Sequence, residues 1–394
     1  MRLSTKAPAM LFLAGLALLL AFGSTAASAG NGDRGLPGLE RAVEAQERNT
    51  SSLMAIPGVV GTAVGDGGNG RAAVFVFTAE PQVAGIPTKV DGVPVVTHVT
   101  GEIFALGHCP DHMGGKPPPG CGNGGENGDE LDRTARARPA PLGFSTGHPN
   151  ITAGSIGARL IDDNGTPADP DDDTYYALSA NHVYADTGSA NIGDNVLQPG
   201  DFDGGVDPGD AIGTLAAFVP IVFDAINCDP NILPDPDCNT VDAAIAESST
   251  ANLGNSTGSD GYGTPKSSTM AALFNQKLQK YGRTTGQTKG FVWALNSTVD
   301  VNYGTSGSPE IARFVGQIVI KGKGIFSGGG DSGSLVVAED KNNKRRPVGL
   351  LFAGAQFPGL GAGTDFTWAN PIGDVLADLE DELGGGATLA IDGE

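Results

Sequence analysis

With 394 residues the chain is long enough for more than one domain and for a sizeable core. Acidic residues outnumber basic ones, 45 Asp and Glu against 24 Lys and Arg, for a formal net charge of −21; this excludes nucleic acid as a partner, because phosphates would be repelled. The 61 glycines make short Gly/Ser/Asp strings common by chance, so a motif counts only with the rest of its machinery.

Residues 1–29 read as a signal peptide: Arg2 and Lys6 give a positive start, an apolar run follows from Ala9 to Phe22, and Ala27 and Ala29 form an A-x-A signal before Gly30. The apolar run is short for a membrane span, a single-pass anchor being the alternative. No other stretch is long and apolar enough to span, so the expectation is an exported protein, extracellular or periplasmic, with no membrane partner after cleavage. Four cysteines fit export. Cys109 with Cys121 and Cys228 with Cys238 are each close in sequence, and two local disulfides are the simplest pairing. A metal site is the alternative for the first pair, beside His108 and His112, but the paired C-x-x-C knuckles of a zinc site are absent, and no metal is expected there.

Residues 30–106 read as a small α+β domain. Gly35 to Met54 is a polar helix with a weak apolar side at Leu39, Ala42, Val43 and Ala45; "GVVGTAVG", "AAVFVFT" and "PVVTHVTGEIFAL" read as strands. Residues 107–141 are Gly/Pro-rich and polar, a linker without regular structure. Its Arg133, Arg136 and Arg138 are either a processing site or solvated linker.

From 142 to 394 the pattern is many short strands, among them "SIGARLID", "TYYALSA", "AIGTLAAFVP", "TVDAAIA", "GFVWAL", "GQIVIKG", "SGSLVVA" and "PVGLLFAG", an all-β barrel or sandwich pattern. Helical period appears at the end: Asn370 as cap, Pro371 at the first position, a stripe of Ile372, Val375, Leu376, Leu379 and Leu383, and a stop at Gly384 to Gly386.

"GGGDSGS", Gly328 to Ser334, offers Ser332 as a nucleophile. A serine hydroxyl needs a base to take its proton, and the base needs a partner that fixes its tautomer. Of five histidines, His98 lies in the N-terminal unit, His108 and His112 in the linker, and His148 in a turn. His182 follows the apolar strand "YYALSA" directly, where a side chain can project into a cleft. The runs "DDNGTPADPDDD" and "DFDGGVDPGD" read as solvated turns. Asp242 instead lies among Val241, Ala243, Ala244 and Ile245, where a carboxylate wants a partner such as an imidazole N–H.

The order His182, Asp242, Ser332 is that of chymotrypsin-like triads. "LSANHV", "VDAAIA" and "GGGDSGS" resemble the catalytic segments of trypsin/chymotrypsin-like serine proteases. "YGRTTGQTKG", "PVGLLFAG" and the terminal helix are similar to the bacterial secreted branch of that family. The resemblance implies a fold of two six-stranded β-barrels with the triad at their junction and a C-terminal helix, preceded by the α+β unit as a pro-region or an accessory domain. It implies an oxyanion hole from the backbone N–H groups of Gly330 and Ser332, with Asp331 a buried structural acid. Counting back from Ser332 puts Phe326 near the base of the primary substrate pocket, and the "PVGLLFAG" strand, with Ala353 and Gly354, along it. No acid lies there, which argues against preference for Lys or Arg. The usual "AAHC" form is absent, since Asn181 and Val183 flank His182.

The function expected is a secreted serine endopeptidase acting on protein or peptide as a monomer, without cofactor. The alternative is a non-enzymatic binding protein on the same scaffold. "DFDGGVDPGD" has alternating oxygen donors but does not complete an EF-hand loop, since Ile212 stands twelfth from Asp201; structural calcium is the one cation left open.

Overall fold

Helix α1, Leu39–Met54, forms because small and apolar residues recur on one side: Ala42, Ala45, Leu53 and Met54 are buried while Glu40, Glu44 and Arg48 face solvent. It packs on a hairpin of β1 (Val59–Asp66) and β2 (Ala72–Thr78), paired antiparallel through Thr62↔Val76 and Val64↔Val74. Strand β3 (Lys89–Val90) leads into β4 (Val93–Val99), parallel to β2, and then β5 (Glu102–Ala105). The computed structural model describes residues 35–106, 131–151, 153–167, 169–305, 307–339, 345–356, 363–364 and 366–394. The signal peptide expected over 1–29 lies outside these residues. No helix among them is long and apolar enough to cross a membrane.

Of the linker expected over 107–141, residues 107–130 lie outside the described residues, and 131–141 are docked. The Arg133 side chain is only 2% exposed, ion-paired to Asp260 at 3.2 Å. Arg136 pairs with Asp210 at 2.7 Å, and Arg138 donates to the carbonyls of Gln198 and Asp210. The segment has no hydrophobic period, but three arginines in a strongly acidic chain find carboxylate and carbonyl partners, and these hold it. Strand β6 (Ala140–Leu142) follows, then the short pair β7 (Ser145–Thr146) and β8 (Gly154–Ser155).

The next strands are β9 (Ala158–Asp162), β10 (Thr174–Ser179), β11 (Asn195–Leu197), β12 (Ala211–Phe218), β13 (Ala244–Ser248) and β14 (Leu253–Thr257), the last beside β6. The C-terminal half carries β15 (Lys277–Gly282), β16 (Gly286–Asn302), β17 (Ile311–Gly322), β18 (Ser327–Gly328), β19 (Leu335–Ala338), β20 (Pro347–Gln356), β21 (Gly363–Thr364), β22 (Phe366–Pro371) and β23 (Leu389–Ile391). The molecule is mostly β with few helices. One sheet runs β11-β12-β13-β10-β9-β23. In the other, β15-β19-β20-β22-β17-β16 closes into a ring through β15–β16 pairing, Lys277↔Phe291 to Gly282↔Gly286. Among the described strands only this second set closes by hydrogen bonding. The first remains an open path whose last member, β23, comes from the C-terminal tail.

The N-terminal strands do not form a sheet of their own. β1 pairs antiparallel with β16 (Gly61↔Val299), and β5 pairs antiparallel with β20 (Gly354↔Phe104). Phe75, Phe77, Ile103 and Ala105 share one buried cluster with Val299, Phe314, Phe352 and Trp368, and Gly35–Glu394 pack as one compact unit. A second cluster joins the two sheets: Leu160, Leu178 and Ile245 meet Leu335, Val337 and Leu350, with Ile372, Val375 and Leu379 of helix α3 (Ile372–Leu383) closing it. Asn370 does not cap that helix; its amide goes to the site described next.

Candidate active site

His182 lies on α2 (Asn181–Tyr184), a single turn that continues β10. Asn181 fixes this turn by donating from its side-chain amide to Val219 O at 2.7 Å. The imidazole Nδ1 stands 2.6 Å from Asp242 Oδ2, and the His182 backbone N–H donates to Asp242 Oδ1 at 3.2 Å. Asp242 is fully buried in the extended residues just before β13. Its own N–H donates to Asn370 Oδ1 at 3.1 Å, and Asn370 in turn donates to Gln317 Oε1 at 2.7 Å. The Tyr303 hydroxyl donates to Asp242 Oδ2 at 2.7 Å. Burial first, and then the charge of Asp242, hold that phenol well above its usual pKa. A carboxylate with this set of donors is fixed in orientation, and with it the imidazole. The other ring nitrogen, Nε2, is buried and has no hydrogen-bond partner among the described residues.

Ser332 lies in the turn between β18 and β19. Gly330 and Gly333 have φ of 93° and 84°, in the left-handed region that glycine adopts without strain. At Gly333 a Cβ would stand 2.0 Å from Ser179 Oγ and 2.5 Å from Ser155 O, so the turn also needs glycine for space. Ser155 N–H donates to Ser332 O at 2.8 Å, and that carbonyl shares the face of Gly154 with the Val183 side chain, next in sequence to His182. The Ser332 hydroxyl donates to Phe352 O at 3.2 Å.

Asp331 is fully buried, with a set of partners separate from those of His182. It accepts from Thr284 N–H, Thr285 N–H, the Thr285 hydroxyl and Gly328 N–H, and pairs with Lys280 Nζ at 3.2 Å, both side chains at 0% exposure. This pair ties the Ser332 turn to β15.

Gly330 N–H donates to Leu106 O at 2.6 Å, and Leu106 N–H donates to Phe352 O at 3.0 Å. Phe326 is fully buried in one cluster with Leu106, Ile320, Val336 and Leu351. Ala353 and Gly354 face Ala105 and Phe104 across the β5–β20 pairing. The expected pocket residues thus gather around the end of β5.

Cys228 and Cys238 form a disulfide. Cys109, Cys121, His108 and His112 lie outside the described residues. His148 bonds to Asp194 at 3.3 Å and His98 packs among aromatic rings, so neither joins His182. The "DFDGGVDPGD" run is not wholly solvated: Asp203 is buried in an ion pair with Arg283 and accepts from Ser145 Oγ at 2.5 Å. Its period is that of a turn, which hides a carboxylate whose partner lies 80 residues away. Among the described residues no group of three or more His, Cys, Asp or Glu side chains is placed to hold a metal ion. Sequence reasoning missed Tyr303 and mistook the role of Asn370. Nothing local marks Tyr303 beyond its place at the end of the long β16.

The family model of the Nal1 C-terminal domain matches residues 252–363. No curated protein matches the chain. Solved structures similar to it include a glutamic acid specific serine protease that utilizes a histidine triad in substrate binding, at 18% identity and a TM-score of 0.40, over 64% of this chain and 98% of that one. Thermobifida fusca Protease A matches at 16% identity and 0.38, and Cellulomonas bogoriensis chymotrypsin at 17% and 0.38, each over 64% of this chain and 98% of its own.

Proposed function

We propose that the chain is a secreted serine endopeptidase of the two-barrel, chymotrypsin-like kind, with its active centre where the two sheets meet. One observation supports this reading most: a buried imidazole held at 2.6 Å by a buried carboxylate, its far nitrogen without a hydrogen-bond partner among the described residues, on a turn whose next residue, Val183, lies with the Ser332 carbonyl against Gly154. Rotation of Ser332 about χ1 releases its hydroxyl from Phe352 O and turns it towards His182 Nε2. His182 then takes the proton as Ser332 attacks a peptide carbonyl, and returns it to the leaving amine. Asp242 keeps Nδ1 protonated and the ring in place; Tyr303 and Asn370 position Asp242. The Gly330 and Ser332 N–H groups receive the charge that develops on the carbonyl oxygen, each such donor being worth about 3 kcal/mol in the barrier. The substrate is protein or peptide, the protein acts as an extracellular or periplasmic monomer, and no cofactor enters the chemistry.

A second reading, a binding protein that does no chemistry, draws on the Ser332 hydroxyl bonding to Phe352 O and not to His182. A fluorophosphonate probe separates the two. Labelling of Ser332, abolished in Ser332→Ala and in His182→Ala, supports the peptidase. Wild-type protein that stays unlabelled when the cleft is open supports binding alone.

A further inference from the structure

The strand Glu102–Ala105 and the residue after it lie along β20 as a substrate would. They run antiparallel to it in the register Ala105↔Ala353, Phe104↔Gly354, Ile103↔Ala355. Leu106 then makes two backbone bonds at the site: its N–H donates to Phe352 O at 3.0 Å, and its carbonyl accepts from Gly330 N–H at 2.6 Å. Phe352 O is also the acceptor of the Ser332 hydroxyl, at 3.2 Å. One acceptor shared by the Leu106 amide and the Ser332 hydroxyl sets the nucleophile beside the Leu106 peptide. The amide donor on the Leu106 carbonyl is one of the two assigned above to the oxyanion.

The side chain is as well placed as the backbone. Leu106 is 2% exposed, in one apolar cluster with Phe326, Ile320, Val336 and Leu351. Gly354 makes the room: a Cβ there would stand 3.1 Å from both Leu106 Cδ atoms. A charged side chain in that cluster would be desolvated without a partner, which is costly.

We propose that Leu106 is the residue whose peptide bond this chain cuts in itself, and that the pocket holding it selects substrates with leucine-like side chains at the cleaved position. The proposal rests on the peptidase reading above. In the first step Ser332 Oγ bonds to the Leu106 carbonyl carbon and its proton passes to His182 Nε2. The bond to the nitrogen of Gly107, next in sequence, breaks as that nitrogen takes the proton. Water then attacks the Leu106 ester, giving its proton to His182, and Ser332 Oγ leaves with that proton. The products are a chain ending in the Leu106 carboxylate and one beginning at Gly107. The first remains seated after the cut, held by β1–β16 pairing and the shared aromatic cluster, so the cleft is filled by its own product until that segment leaves.

All four cysteines follow Leu106 in the chain, so no disulfide ties the two pieces and denaturation separates them. The test is intact-mass analysis, under denaturing conditions, of the full chain as wild type, Ser332→Ala and Leu106→Asp, with fluorophosphonate labelling of each. The expected result is a wild type divided between 106 and 107, a Ser332→Ala protein left whole, and a Leu106→Asp protein left whole yet labelled by the probe at least tenfold faster than the nicked wild type. The wild-type and Ser332→Ala pair decides the matter even where Leu106→Asp fails to fold. A wild type labelled at Ser332 but whole at 106–107 overturns the proposal and leaves the peptidase reading standing. Division at the same bond in Ser332→Ala overturns it as well, since another protease made the cut. If the wild type is whole and neither it nor a folded Leu106→Asp protein takes the probe, the peptidase reading fails and takes this proposal with it.

Discussion

The Tyr303 hydroxyl donates to Asp242 at 2.7 Å, on the same carboxylate oxygen that faces His182 Nδ1 at 2.6 Å. Two donors on one oxygen leave the carboxylate little freedom to swing, and the imidazole plane is set by it.

Replacing Tyr303 with Phe removes one donor and keeps the ring. A hydrogen bond to a charged group contributes about 1.5–3 kcal/mol, so the rate of fluorophosphonate labelling is expected to fall roughly ten- to a hundredfold, at 1.4 kcal/mol per factor of ten. The pH profile of labelling should move with it, which a purely structural role would not produce. An unchanged rate and profile would show that Tyr303 does not position Asp242.

Lys280→Met strands a buried carboxylate. Asp331 keeps its backbone and Thr285 donors but loses its only charged partner among the described contacts. Breaking a buried pair from one side costs about 3–5 kcal/mol, and urea titration should read that loss. The double variant Lys280→Met/Asp331→Asn should recover part of it. If the single variant unfolds at the wild-type urea concentration, the pair does not anchor the Ser332 turn.

His98 gives the fold a pH dependence. It packs 4.4 Å from the Phe75 ring and 4.7 Å from that of Trp293, centroid to centroid, and its pKa is lowered to about 4, first by burial and then by the nearby charge of Lys321. The folded value lies below the unfolded value of about 6.5, so the unfolded chain binds the extra proton between these limits. This contribution to stability is therefore complete above pH 6.5 and is lost as the pH falls through 4. The melting temperature of wild type should drop more steeply over that window than that of His98→Phe; parallel curves would remove His98 from the account.

Much of the strand and site plan was legible in the sequence. Alternation marked β9 and β12, each with one buried face, and apolar runs marked strands buried on both faces such as β19 and β20; the end of β10 pointed to His182, and an apolar neighbourhood alone pointed to Asp242. Long-range partners were not legible. Tyr303 reaches Asp242 across 61 residues and Asn370 across 128, distances over which no periodicity speaks. The burial of Arg133, which reads as processing site or solvated linker, and of the Asp203 side chain, which reads as part of a solvated turn, was hidden for the same reason: each lies in a polar, turn-rich stretch, and only the fold brings the opposite charge that allows burial. The N-terminal strands were found by their composition, but a composition cannot tell which sheet edge a strand will join.

That choice of edge has a consequence for solubility. The half of β16 from Ala294 to Val299 has β17 on one side and β1 on the other. Were the N-terminal segment shed, this stretch would present a bare row of amides and carbonyls, flanked by uncovered Phe314 and Trp368, a template on which further chains could stack. The form with an open cleft should therefore be a monomer only while dilute and self-associate as its concentration rises, whereas one that is merely nicked stays dispersed.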